Sequence, residues 1–201
     1  MDQKKIFCRS PVAILLFVLI LAGWIGSALY FEQSFFASQK SLRLPQVGAV
    51  TGELFVTHEW WRLLVSQFLH VHFLHMLFNA SSLFIIASSL ERTRGWLVLL
   101  AIYLIGGTTG QIASVWYYPE LVSDGASQAL MALCAGTLVL QARSKVIWFA
   151  GLVVALQVAL DVHAIAGIKA GHLYGFAAGL LVSLLFVQRH KHQLARETTS
   201  S

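Results

Sequence analysis

The sequence predicts an all-α, polytopic membrane protein: a single bundle of six membrane-spanning helices with a long outer loop between the first and the second. Three observations carry this. The 201 residues are 57% hydrophobic and only 11% charged, with a mean hydropathy of +0.71, too apolar for the polar surface a soluble domain needs. Six apolar runs approach or reach the ~20 residues that cross ~30 Å of hydrocarbon. The basic residues are spread unevenly over the connections, as they are when a membrane has two different sides.

The first run, Pro11 to Tyr30, follows Lys4, Lys5 and Arg9. Small Gly26, Ser27 and Ala28 resemble a cleavage site, but the length of the run marks a retained helix. Phe31 to His70 is the only long connection, and one of that length has structure or function of its own. Its Phe35, Phe36, Leu44, Leu54, Phe55, Trp60 and Trp61, mixed with Glu53, Glu59 and Arg62, suit a segment lying in the membrane interface. The second run is Val71 to Leu90, the third Trp96 to Trp116 and the fourth Ala126 to Gln141. The fifth, Val146 to Leu160, is the shortest and contains Gln157; the sixth is Ala170 to Gln188. The chain thus divides into an N-terminal tail (1–10), one membrane domain (11–188) and a C-terminal tail (189–201), with no repeat and no second domain.

Placing both termini in the cytoplasm puts Lys4, Lys5, Arg9, Arg92, Arg94, Arg143, Lys145, Arg189, Lys191 and Arg196 inside, and only Lys40, Arg43, Arg62 and Lys169 outside. The formal charge of +5 therefore expresses topology and contact with anionic lipid headgroups, and no nucleic-acid surface is expected. Cys8 and Cys134 lie too far apart for a bridge and are expected as free thiols.

In this topology the second, fourth and sixth helices all enter from the outer face, so His72, His75, Ser127 and His172 share one depth. Polar residues inside a membrane are costly to place and tend to be functional. Ser127 follows Gly125 and Ala126, which leaves its hydroxyl room and puts its amide among the unsatisfied donors of a helix start. Asp124 reads as the N-cap of that helix. His172 stands in a strip of Gly167, Gly171, Gly175 and Gly179. That face lets a helix approach backbone to backbone. The fourth helix, with Ala129, Ala132, Ala135 and Gly136, is the expected partner, and the approach brings His172 within reach of the Ser127 hydroxyl as its base. His72, His75 and Asn79 share one helical face. His75 and Asn79 are candidate oxyanion donors with the Ser127 amide.

Other chemistries fit less well. His58-Glu59-Trp60-Trp61-Arg62 fails the H-E-x-x-H pattern of a zinc protease. His70, His72 and His75 have no acidic or cysteine co-ligand nearby, so no metal is expected. An aspartyl mechanism needs two intramembrane carboxylates, and Asp124 and Asp161 both fall at helix ends.

With these residues in place, the chain from Trp61 to Gly179 resembles the rhomboid family of intramembrane serine proteases. Trp61-Arg62 is similar to the family's loop motif, His75 and Asn79 to its H-x-x-x-N, Glu91 and Gly95 to its E-x-x-x-G, Gly125 to Gln128 to its G-x-S-x, and His172, Gly175 and Gly179 to its H-x-x-G-x-x-x-G. The resemblance implies a bacterial-type core of six helices and a Ser127–His172 dyad working through an acyl-enzyme. It implies His75, Asn79 and the Ser127 amide as oxyanion donors, no cofactor, and membrane-protein helices as substrates. Gln128, Met131 and Gly171 depart from frequent choices in the family. The rival class is a catalytically silent relative that binds membrane helices, which requires Ser127 and His172 to lie out of reach of one another.

Overall fold

The computed structural model describes residues 10–38 and 41–199, with side chains for all of these except Ser41 and residues 190–199. The expectations for Cys8, the N-terminal tail through Arg9, and Lys40 fall outside the described residues.

Among the described residues eight α-helices follow one another: α1 (Pro11–Tyr30), the short α2 (Gly52–Val56) and α3 (Arg62–Val65), then α4 (Phe73–Arg94), α5 (Trp96–Tyr117), α6 (Ser127–Leu140), α7 (Val146–Ile165) and α8 (Ala170–Thr199). Five are long and apolar enough to cross a membrane, and the sixth apolar helix is α6. The protein is an integral, multi-pass helical bundle. Helix α1 begins at the expected residue because Pro11 occupies its first turn, where a missing N–H costs nothing. Its next two amides, of Val12 and Ala13, donate to the Glu91 carboxylate at 3.1 and 2.8 Å, so a residue of α4 caps α1.

Helix α7 runs five residues beyond the predicted Leu160. A carboxylate ends an apolar run in sequence, but Asp161 is fully buried and turned inward, so the helix continues through it. Helix α8 likewise continues past Gln188 through residues of good helix propensity. His72 is the N-cap residue of α4 and lies outside the helix the sequence placed it in.

The centre of the bundle is α6, whose residues Ser127 to Thr137 are all buried. It packs chiefly on α8 and α5. At ~1.5 Å per residue, its 14 residues span only about 21 Å, short of the ~30 Å hydrocarbon layer. Helix α6 therefore falls short of the full hydrocarbon layer at one end or both. Cys134 is a free, buried thiol in this helix.

The long outer connection is built of short pieces: a 3-10 stretch (Ser41–Val47), α2, α3 and a second 3-10 turn (Ser66–Phe68). Arg62 braces it, donating to the carbonyls of Pro45 (2.5 Å) and Ala49 (3.2 Å) and to Glu59 (2.8 Å). Phe36, Leu42, Val56, Trp60 and Trp61 remain exposed on it, the composition of a surface in contact with lipid.

Candidate active site

The chain entering α6 is fixed from three directions. Val50 and Ser123 pair by two backbone hydrogen bonds, 2.8 and 3.3 Å. The Gly125 amide donates to the Ser66 carbonyl at 2.9 Å. Gln111 of α5 donates to the Gly125 carbonyl (3.3 Å) and accepts from the Ser123 hydroxyl (2.5 Å). Gly125 has φ +99°, a left-handed conformation that favours glycine, and it turns the backbone so that α6 begins at Ser127. The N-cap of α6 is Ala126, without a side-chain cap, which corrects the reading of Asp124. Asp124 instead lines the cavity beside Ser127, where burial pushes its carboxyl up to about 7 against the opposing pull of Lys169.

His172 reaches Ser127 because glycines remove what would hold α6 and α8 apart. A methyl group at Gly175 would meet the backbone of Gln128, one at Gly179 the backbone of Ala132, and one at Gly171 the Ser114 hydroxyl and the Gly110 carbonyl. The expected pairing of the glycine strip with the fourth spanning helix is thus found for Gly175 and Gly179, while Gly171 lies against α5 and, more distantly, the Gln128 side chain of α6. Gly167 precedes α8 and takes no part. Ser127 Oγ lies 2.8 Å from His172 Nε2, and both residues are buried. Gln128 Oε1 lies farther from the same hydroxyl, at 3.3 Å, so the imidazole is the better acceptor. On its other side, His172 Nδ1 is 2.6 Å from Asp161 Oδ2. A hydroxyl, an imidazole and a carboxylate therefore stand in line.

His75 and His72 line the same cavity as Ser127 and His172, and His72 is held by a 2.8 Å bond between its Nδ1 and the Ser38 hydroxyl. Asn79 is fully buried, and its Nδ2 lies 3.3 Å from His70 Nε2, so its amide is directed at that ring. The Ala126 amide donates to the same nitrogen at 3.4 Å. Burial, with His75 nearby, pushes the His70 imidazole down to about 3, so it stays neutral and accepts. His70 thus ties Asn79 to the residue before the serine, a role the sequence reading did not assign. Asp161 and Gln111 were also missed.

The remaining motif residues lie away from the hydroxyl. Trp61 packs under the Arg62 guanidinium, 4.5 Å from ring centre to Cζ, and both belong to the outer-loop brace. Glu91 caps α1, and Gly95, with φ +87°, makes the tight turn between α4 and α5.

The cavity above Ser127 has a volume of about 410 Å³ and is walled by Val71, Tyr118, Leu121, Val122 and Ile165 beside the polar groups. A buried serine, an imidazole in contact with it and a cavity at one end of an apolar helical bundle define a class, that of serine peptidases embedded in the membrane. Residues 57–189 match the family model described as Rhomboid domain. The chain is 29% identical to Rhomboid protease AarA of Providencia stuartii, over 92% of this chain and 76% of that protein. It is 34% identical to Putative rhomboid protease YdcA of Bacillus subtilis, over 67% of this chain and 71% of the other. With RHOMBOID-like protein 4 of Arabidopsis thaliana the identity is 32%, over 65% of this chain and 35% of that protein. The chain belongs to the rhomboid family.

Proposed function

We propose that this protein is an endopeptidase that cleaves transmembrane or membrane-proximal segments of membrane proteins, with Ser127 as nucleophile and His172 as general base. The observation that carries the proposal is the 2.8 Å contact between the Ser127 hydroxyl and Nε2 of His172, at a buried helix start beside a cavity. The hydroxyl attacks the scissile carbonyl while Nε2 takes its proton, and the proton then passes to the leaving amine. Water hydrolyses the resulting acyl-enzyme. The oxyanion forms near the amide of Ser127, a helix-start donor without an intrahelical acceptor, and near His75. Asn79 joins them by turning its amide from His70. One such donor is worth ~10²-fold or more in rate. Neither a cofactor nor a metal takes part.

The substrate is a helix from the surrounding bilayer that partly unwinds to expose a peptide bond, and helix-breaking residues lower the cost of freeing its backbone. Basic-residue asymmetry supports an orientation with both termini cytoplasmic and the cavity opening to the outer side, and the membrane proposed is a bacterial inner membrane, whose outer side is the periplasm. The silent helix-binding alternative needs Ser127 and His172 apart, and their contact favours the enzyme. The test is proteolysis of single-span substrates in proteoliposomes by wild type and Ser127→Ala. Cleavage by wild type alone is expected; full cleavage by the variant would sink the proposal.

A further inference from the structure

The buried residues of helix α7 are Ala150, Val153, Gln157 and Asp161, at spacings of three, four and four residues. An ionisable side chain on the inward face of a membrane helix is costly and marks function together with its partner. Asp161 is fully buried. Its Oδ2 accepts from the Lys169 amide at 3.1 Å and lies 2.6 Å from His172 Nδ1, while the Lys169 ammonium is 3.9 Å from Oδ1. A clasp joining α7 to the start of α8 is complete with the two Lys169 contacts. The His172 bond is the shortest of the three and is additional to that clasp. It reaches the ring nitrogen opposite the one that faces Ser127.

We infer that Asp161 is a positioning residue for the reaction, holding His172 in the tautomer and orientation in which Nε2 receives the Ser127 proton. The inference rests on the Ser127 and His172 roles proposed above. With Nδ1–H donated to the carboxylate, Nε2 carries a lone pair. When Oγ bonds to the carbonyl carbon, its proton moves to Nε2 and the imidazolium is stabilised by the ionised Asp161. When the C–N bond breaks, the same proton goes to the amine, and Asp161 ends as it began, unprotonated. Of the other ionisable groups, His75 of α4 interacts with the imidazole, and Lys169 just before α8, His72 before α4 and Asp124 line the same cavity. Among the described residues Asp161 is the only carboxylate bonded to the ring.

The experiment uses full-length protein in detergent or lipid and two readouts. The first is the rate of labelling by a fluorophosphonate, with thermal midpoints, for wild type, Asp161→Asn and Asp161→Glu. The expected result is a loss of about 10²-fold to 10⁴-fold in Asp161→Asn at unchanged midpoint, partly restored in Asp161→Glu. The second is the 15N spectrum of histidine-labelled protein, with the His172 signal assigned by its loss in His172→Gln. Wild type is expected to show His172 protonated on Nδ1, and Asp161→Asn to lose that tautomer. A purely structural clasp leaves the tautomer as it is. The proposal is overturned by Asp161→Asn labelling within about threefold of wild type, or by a wild-type His172 protonated on Nε2, which decides the matter even where the Asn variant does not fold. Unlabelled wild type, or label retained in Ser127→Ala, overturns the protease reading itself, and the spectrum still reports separately on the Asp161 bond.

Discussion

Replacing Gly175 by alanine tests the link between helix packing and chemistry. A Cβ built at Gly175 stands 2.5 Å from the Gln128 carbonyl oxygen and 3.3 Å from its Cα, where ordinary contact begins at 3.4 Å. The obstacle is backbone, which does not rotate away, so α6 and α8 must separate by about 1 Å. Gly175 lies three residues from His172, and Gln128 follows Ser127, so the displacement falls at the reacting pair. It stretches the 2.8 Å contact to roughly 3.7 Å, beyond a hydrogen bond. Overpacking of this kind costs about 1–3 kcal/mol of stability, and a misplacement of ~1 Å costs about 10²-fold in rate. The assay is the rate of fluorophosphonate labelling beside the thermal midpoint in detergent. Gly151→Ala serves as the control, because nothing lies within 4 Å of a Cβ there. Labelling of Gly175→Ala at the wild-type rate with an unchanged midpoint would refute the reasoning.

Two further outcomes follow from the same geometry. Glu91→Ala removes the acceptor of the Val12 and Ala13 amides and should cost about 2–3 kcal/mol of stability while leaving the labelling rate per folded molecule unchanged; denaturant titration in detergent checks the first and probe kinetics the second. His70 is neutral when folded, with its imidazole held down at about 3, whereas an unfolded chain takes up that proton near 6.5. Its contribution is therefore full above about pH 6.5 and is lost as the pH falls towards 3. Asp124, raised to about 7, acts with the opposite sign, so the difference between wild type and His70→Gln isolates the histidine: the variant should lose less stability on acidification, and an identical acid slope would exclude this role.

Much of the architecture was legible because a membrane span declares itself by length and hydropathy. Pro11 fixed the start of α1, and the glycines of α8 identified α6 as its neighbour. What failed to show were features decided by tertiary contact. Asp161 reads as the end of an apolar run because sequence does not tell an inward carboxylate from an exposed one; the available signal was Gln157 and Asp161 four apart in an otherwise apolar helix. His70 lies between the 3-10 turn and α4, outside any helix, where helical periodicity has nothing to say. The short helices of the outer connection depend on Arg62 gripping Pro45 and Ala49, partners more than a dozen residues away. Asp124 has the chemistry of a cap three residues before Ser127, but the turn at Gly125 directs it into the cavity instead.

The most direct test of the central claim is labelling of the folded, purified protein with a serine-directed fluorophosphonate, comparing wild type, Ser127→Ala and His172→Ala. An activated Ser127 predicts label on wild type and none on either variant. Folded wild type that takes no label, or label that persists in Ser127→Ala, would contradict the account.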